Sequence, residues 1–516
     1  MTFIKVNPSF SPNPSQFVMS VVGYISMIIR DPKEPAMNRL IRWYDYITFN
    51  VYFFGLTTLS QTLGLITPLL VQQFVGEAQK ATFYGTFRLF TLMVALLAQA
   101  LMGMFSDRSP ISWGRRRPYV MAGTVVTAVL VILIGFIAGM EGMVGFWVLF
   151  AVGLVQPVFA NMAQAAEQGI IPDLVPDEQR GRFSGVKALF EIPLPLILVA
   201  FTVGRLVAKG NIWAGLILAV VVLVVTMLLT MLIPEKRIIE APAPINWRPL
   251  VRLLGMTVAF TLIILGLGQM VKLVGSLLNN VTSPSTLFIV VGLFGLAGML
   301  VAVALGVWLS VRISLGKSAS ENPSFTWWVV NRLAFLVGAV NLSTFAIYFL
   351  QARLGYVKEA AAAPASQLIL FVGVFILLST LPAGWLTDRF GEKHMVAIAG
   401  GVAVVGTLIA LSLPSLPVIY VGGSIIGIAA GLFYTSNWAL GTLLVPKEEA
   451  GRYLGISNLA GAGAGAVGAY IGGPIADFVT AQVPQVPGFG YVLLFSIYGL
   501  LFLFSVIALT GVRAKR

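Results

Sequence analysis

Few residues in this chain could do covalent chemistry. Its 516 residues include no cysteine and one histidine, which removes thiolate nucleophiles, disulfides, iron–sulfur clusters and histidine-based metal sites or triads together. His394 follows Glu392 and Lys393 just outside an apolar run and reads as a solvated loop residue. No carboxylates pair at a common depth within such runs, so an enzyme is not expected. The long apolar runs do hold amides, hydroxyls and aromatic rings: Gln61, Gln99, Gln156, Asn161, Gln164, Asn341, Ser343, Thr344, Tyr348, Tyr434, Asn437 and Trp438. An amide both donates and accepts and a ring covers a C–H face, so such a set suits a neutral, hydroxyl-rich solute. The competing role is hydrogen bonding between helices where water is absent. Gln99 is assigned to that role. The binding candidates are Gln61, Gln156, Asn161, Gln164, Asn341, Tyr348, Tyr434, Asn437 and Trp438, led by Gln156, Asn341 and Asn437.

Charges form the second group. Arg88, Glu167, Glu191, Arg205, Lys272 and Arg332 lie within or beside apolar runs. Ionisable groups there are functional candidates by default, although long side chains near helix ends also snorkel to water. Glu167, Glu191 and Arg332 are the candidates for ion coupling. Glu191 precedes Pro193 and Pro195, which remove helical hydrogen bonds. No acidic residue sits at the centre of a run. Between the runs, Asp107 and Asp388 adjoin Arg108 and Arg389, near Arg115, Arg116, Arg117, Arg182 and Arg452. Carboxylate–guanidinium pairs suit a gate that makes and breaks, because the planar fork binds a carboxylate bidentately. The alternative is that these charges only set topology.

The elements that must position these residues are membrane helices. The chain is 58% hydrophobic and 10% charged, against roughly 25% charged in soluble domains. A bilayer core takes about 20 apolar residues per helix. That window finds spans near 47–74, 83–105, 118–140, 143–171, 186–208 and 212–234, then 253–278 and 284–312, then 326–352, 364–387, 395–413, 416–444, 452–477 and 489–511. The reading is an all-α membrane protein with two six-helix halves, 47–234 and 326–511, and a central segment 235–325 carrying two extra helices. The Arg-rich loops alternate with loops almost bare of charge, so both termini are expected in the cytoplasm of a plasma or inner membrane. The net charge of +13 is then a topology signal and not a sign of nucleic acid. Residues 1–46 form a cytoplasmic segment with an interfacial helix over Gln16–Arg30, and 512–516 a cytoplasmic tail. The run Gly461-Ala-Gly-Ala-Gly-Ala-Val-Gly468, with Gly472 and Gly473, predicts close helix contact.

Two patterns recur at the same place in both halves: Gly103-Met-Phe-Ser-Asp107-Arg108 with Gly384-Trp-Leu-Thr-Asp388-Arg389, and Val175-Pro-Asp-Glu178 through Gly185 with Val445-Pro-Lys-Glu448 through Gly455. A duplicated unit of this kind is a recognised build for secondary transporters. The loops and the six-plus-six layout resemble the major facilitator superfamily. The stretch Ser106-Asp107-Arg108 to Gly114-Arg115-Arg116-Arg117-Pro118, with Asn161, Gln164 and Asp173-Leu174, is similar to the sucrose transporters and the wider glycoside–pentoside–hexuronide cation symporter group. The resemblance implies a transporter of a sugar or glycoside working by alternating access, coupled to H+ or Na+, surrounded by membrane lipid, monomeric, without cofactor or metal. Pro157 stands where sucrose transporters carry an aspartate, and Asn437 where a bacterial subgroup often has one; both departures count against proton coupling. The alternatives are a facilitator or exporter of another small organic solute, or a non-transporting assembly or sensor protein on the same scaffold.

Overall fold

In the computed structural model the described residues are 42–513, apart from 112, 176–178, 234, 236–246, 282, 317–321 and 446–449, and apart from the side chains of 450–452, 454 and 455. The interfacial helix expected over Gln16–Arg30, Glu178, the last residues of the tail and the side chain of Arg452 lie outside this set. All regular structure within it is helical, and fourteen helices are long and apolar enough to cross a membrane. They are α1 (Val51–Val75), α2 (Lys80–Ser106), α3 (Arg117–Ile137), α4 (Gly142–Gln168), α5 (Arg180–Ala208), α6 (Ile212–Thr230), α7 (Trp247–Leu277), α8 (Pro284–Leu315), α9 (Pro323–Thr344), α10 (Ala362–Phe390), α11 (Glu392–Ser412), α12 (Leu416–Leu444), α13 (Ala450–Gln482) and α14 (Phe489–Ala508). The chain is an integral membrane protein.

Two spans are interrupted where the sequence weakens the helical ladder. In α5 the helix ends at Glu191 and restarts at Pro193, with Ile192 at φ −116° and ψ −75°. A proline has no N–H to offer and its ring crowds the preceding turn. The expected single span 326–352 instead ends at Thr344, and a short helix, Ala346–Leu354, continues it. There Thr344 Oγ1 bonds back to the Val340 carbonyl at 3.0 Å, a competition that bends helices.

The glycines of α13 let several neighbours approach. A methyl group at Gly463 would meet Phe260, at Gly465 Leu92, at Gly468 Asn341, at Gly472 Tyr498, and at Gly473 the Ala81 carbonyl at 2.3 Å. This helix therefore touches α2 of the first half, the extra pair, and α9 and α14 of its own half. The extra pair packs on α13 and reaches α2, α9 and α14, so it covers one seam between the halves. Tyr470 ties α13 to it by accepting a hydrogen bond from Gln269 at 3.2 Å.

Candidate functional site

A cavity of about 330 Å³ lies in the first half, walled by α1, α2 and α4 with Ile134 of α3. Two prolines shape it. Pro68 in α1 and Pro157 in α4 stand inside their helices. Each lacks an N–H, so the carbonyls one turn earlier, of Gly64 and Gly153, lose their helical partner. Both glycines lie in the wall. Hydroxyls of Thr57, Ser60, Thr67 and Thr91 and the amides of Gln156, Asn161 and Gln164 join them, with Tyr84 and Phe87 as aromatic surface and Arg88 as the one charged residue. The wall thus offers acceptors, donors and rings, the set a polyhydroxylated ligand needs.

Asn161 lies in the wall with its Nδ2 donating to the Pro157 carbonyl at 2.8 Å. Gln61 is half-buried on α1 and is not part of the wall. Gln99 joins α2 to α4 through Gln168 at 3.3 Å. The second-half candidates are placed differently from expectation. Asn341 does not reach a cavity: it is fully buried, donating to the Val337 and Ala464 carbonyls at 2.9 and 3.0 Å, because Gly468 brings α13 against it. Asn437 is also fully buried; it donates to Asn331 Oδ1 and accepts from Arg332 Nη1, both at 2.9 Å. Both amides tie helices together. Tyr434 and Trp438 are partly exposed, and the Arg332 guanidinium lies 5.9 Å from the Trp438 ring centre. Tyr348 is buried, its hydroxyl donating to the Pro68 carbonyl at 2.6 Å.

Of the coupling candidates, Glu167 is fully buried near the end of α4, and neither of its carboxyl oxygens has a hydrogen-bond partner among the described residues. Glu191 lies 3.7 Å from Lys187 and is partly exposed. The gating candidates pair within their own half. Arg116 binds Asp107 at 2.8 Å and also Asp173, which Arg115 shares. The Arg116 and Arg117 backbone amides donate to Glu235 at 2.7 and 3.0 Å. Burial pulls the Arg116 guanidinium below its ordinary range, while Asp107 and Glu235 favour its charged form and Arg115 opposes it. Arg108 donates to the Met104 carbonyl, Arg182 is exposed, and Arg389 lies over Trp385 while Asp388 is exposed beside it. No hydrogen bond or ion pair crosses between the halves at this arginine-rich end among the described residues.

The opposite end is closed, by residues that sequence reasoning did not assign to it. Asp477 of α13 accepts from the Ala81 and Thr82 backbone amides at 3.1 and 2.7 Å, at the start of α2 in the other half. Lys80 reaches Gln351 at 2.8 Å as well as Glu77 at 2.7 Å. Gln351 donates to Gln72 at 2.9 Å, and Lys358 to Gln73 at 3.4 Å. Tyr348 belongs to the same belt. Its backbone partners leave no pattern of residue types. The only available signal was Asp477 itself, a lone carboxylate at the end of an apolar run.

Comparison with known proteins bears on both halves. The family model for the Major Facilitator Superfamily matches residues 328–516, from α9 onward. The rice (Oryza sativa subsp. japonica) sucrose transport protein SUT1 is 36% identical over 76 residues, 15% of this chain and 13% of that protein. The lactose permease of Lactobacillus helveticus is 28% identical over 198 residues, 36% of this chain and 28% of that protein. The chain therefore matches under a third of the length of either relative. The solved structure of the nucleoside transporter NupG superposes with a TM-score of 0.59 at 13% identity, covering 90% of this chain and 98% of that one. The chain has that fold.

Proposed function

We propose that this protein is a secondary transporter that carries a small polyhydroxylated solute, a sugar or glycoside first, by alternating access. One observation carries the reading: hydrogen bonds join the halves at the end opposite the arginine-rich loops, beside a polar cavity of solute size. By the positive-inside bias the arginine-rich end is cytoplasmic, so the hydrogen-bonded end faces outward and the solute enters or leaves from the cytoplasmic side. In the outward-facing state Asp107 meets Arg389 of the opposite half, and Asp388 meets Arg115, Arg116 or Arg117, holding the cytoplasmic ends together. The sugar identity leans on the likeness to the sucrose and lactose relatives and on the amides and carbonyls of the wall. Such a transporter works as a monomer.

Glu167 is the coupling site of this reading. A carboxylate buried without a partner is held neutral at low cost and charged at high cost, so its proton is exchanged when the surrounding helices move. A facilitator without coupling is the second reading, favoured by the absence of any acidic residue from the cavity wall. Uptake of radiolabelled sugars into proteoliposomes, with and without a pH or sodium gradient, separates them. Accumulation against a gradient supports coupling; equilibration unaffected by either ion supports facilitation; no uptake of any sugar removes the substrate assignment.

A further inference from the structure

We propose that the transported solute carries an oxyanion, a carboxylate, sulfate or phosphate on a polyhydroxylated frame, and that Arg88 is its anchor. This rests on the transporter reading above and narrows its substrate. Arg88 stands eight residues beyond Lys80 in α2. At 1.5 Å per residue that is about 12 Å along the helix, close to the middle of a core roughly 30 Å thick. Snorkelling does not serve a group at that depth.

The guanidinium has no hydrogen bond or ion pair among the described residues, and its Nε is buried and unpartnered. Every other residue of the cavity wall is neutral. Other cations in this region are provided for. Arg332 donates to Asn437 and lies near the rings of Trp328 and Trp438. Lys80 has Glu77 and Gln351, and Lys187 has Glu191. Arg88 is thus a fixed positive charge in a low-dielectric cavity whose partner is not supplied by the wall. Leaving such a charge unpaired is expensive. A neutral sugar would keep it unpaired in the bound state, whereas an oxyanion meets the guanidinium fork bidentately. The solute's hydroxyls then donate to the freed carbonyls of Gly64 and Gly153 and bond the amides of Gln156 and Gln164. The set describes a sugar acid or an acidic sugar ester.

Thermal unfolding of the full-length protein in detergent, at constant ionic strength, tests this with glucose, glucuronate, glucose 6-sulfate and glucose 6-phosphate. At least one acid is expected to raise the midpoint saturably while glucose does not, and the three acids report which oxyanion fits. Arg88→Gln should weaken that acid roughly 10- to 100-fold, the range of one charge-assisted hydrogen bond. It should also raise the ligand-free midpoint, because an unpaired buried charge is gone; Arg88→Lys should retain part of the binding. Glucose stabilising as well as the acids, no shift with any acid, or an acid shift unchanged in Arg88→Gln would overturn the proposal. Exchange of the same solutes in proteoliposomes keeps the two readings apart. Acids that bind but never exchange would sink the transporter reading alone. Glucose exchange equal in the native protein and Arg88→Gln would sink the anion proposal alone.

Discussion

Asp477→Asn should open the end of the molecule that is now closed. The Asp477 carboxylate is 8% exposed and accepts two backbone N–H bonds, at 3.1 and 2.7 Å, from the first turn of α2 in the opposite half. Its charge also faces the positive end of that helix and Lys80. Asparagine keeps the shape but offers one acceptor oxygen, so one amide is left facing an NH2 group. A hydrogen bond to a charged group contributes about 1.5–3 kcal/mol, and the helix terminus adds about 0.3–1 kcal/mol. The loss falls only on the conformation in which α2 and α13 meet. A bias of roughly 2–3 kcal/mol changes the ratio of two states about 30- to 150-fold. The chain has no native cysteine, so Ala78→Cys with Val357→Cys, both exposed and on opposite sides of the seam, can carry spin labels. Asp477→Asn should add a longer inter-label distance as a major population. A distance distribution unchanged in Asp477→Asn and also in Asp477→Ala would refute the assignment of this carboxylate as the latch.

Further expectations follow from the same geometry. Gly473→Val puts a side chain into the Ala81 carbonyl, which a Cβ would approach to 2.3 Å, and should shift the same label distance outward without lowering helix content by circular dichroism. Asn341→Ala should lower the melting midpoint, since two buried hydrogen bonds contribute about 1 kcal/mol each, whereas Gln156→Ala should weaken solute binding severalfold and leave the midpoint unchanged. Pro157→Ala restores a partner for the Gly153 carbonyl and should reduce solute affinity, read by titration of intrinsic fluorescence. Glu167→Gln should abolish accumulation driven by a pH gradient while leaving solute exchange intact; accumulation that survives the substitution would remove Glu167 from coupling.

The spans were legible because lipid imposes a simple rule: each helix must carry its own apolar length and satisfy its own backbone. The alternating arginines and the repeated loops then fixed the six–two–six division. Gln156, Asn161 and Gln164 were legible as binding candidates because amides within an apolar run must find a polar partner, and all three line the cavity. Which side of a helix meets a cavity was harder to read. Asn341 and Asn437 have the composition of binding residues, yet the Ala464 carbonyl and Arg332, distant in sequence, come close enough to occupy them. Arg88 looked like a side chain able to reach a helix end, and only the packing of α1, α2 and α4 shows it facing an interior space. The closed end was hidden for a different reason. Asp477 holds backbone amides, which every residue has, so no pairing of side-chain types announces it.

Counterflow in proteoliposomes tests the central claim most directly, because it needs no gradient and no knowledge of the coupling ion. Vesicles holding the purified protein are loaded with unlabelled solute from the sugar and sugar-acid panel, then diluted into a trace of the same labelled solute. Alternating access predicts a transient overshoot of label inside the vesicles that protein-free vesicles lack. Gln156→Ala should slow the overshoot at limiting solute. The absence of an overshoot for every member of the panel would contradict the account.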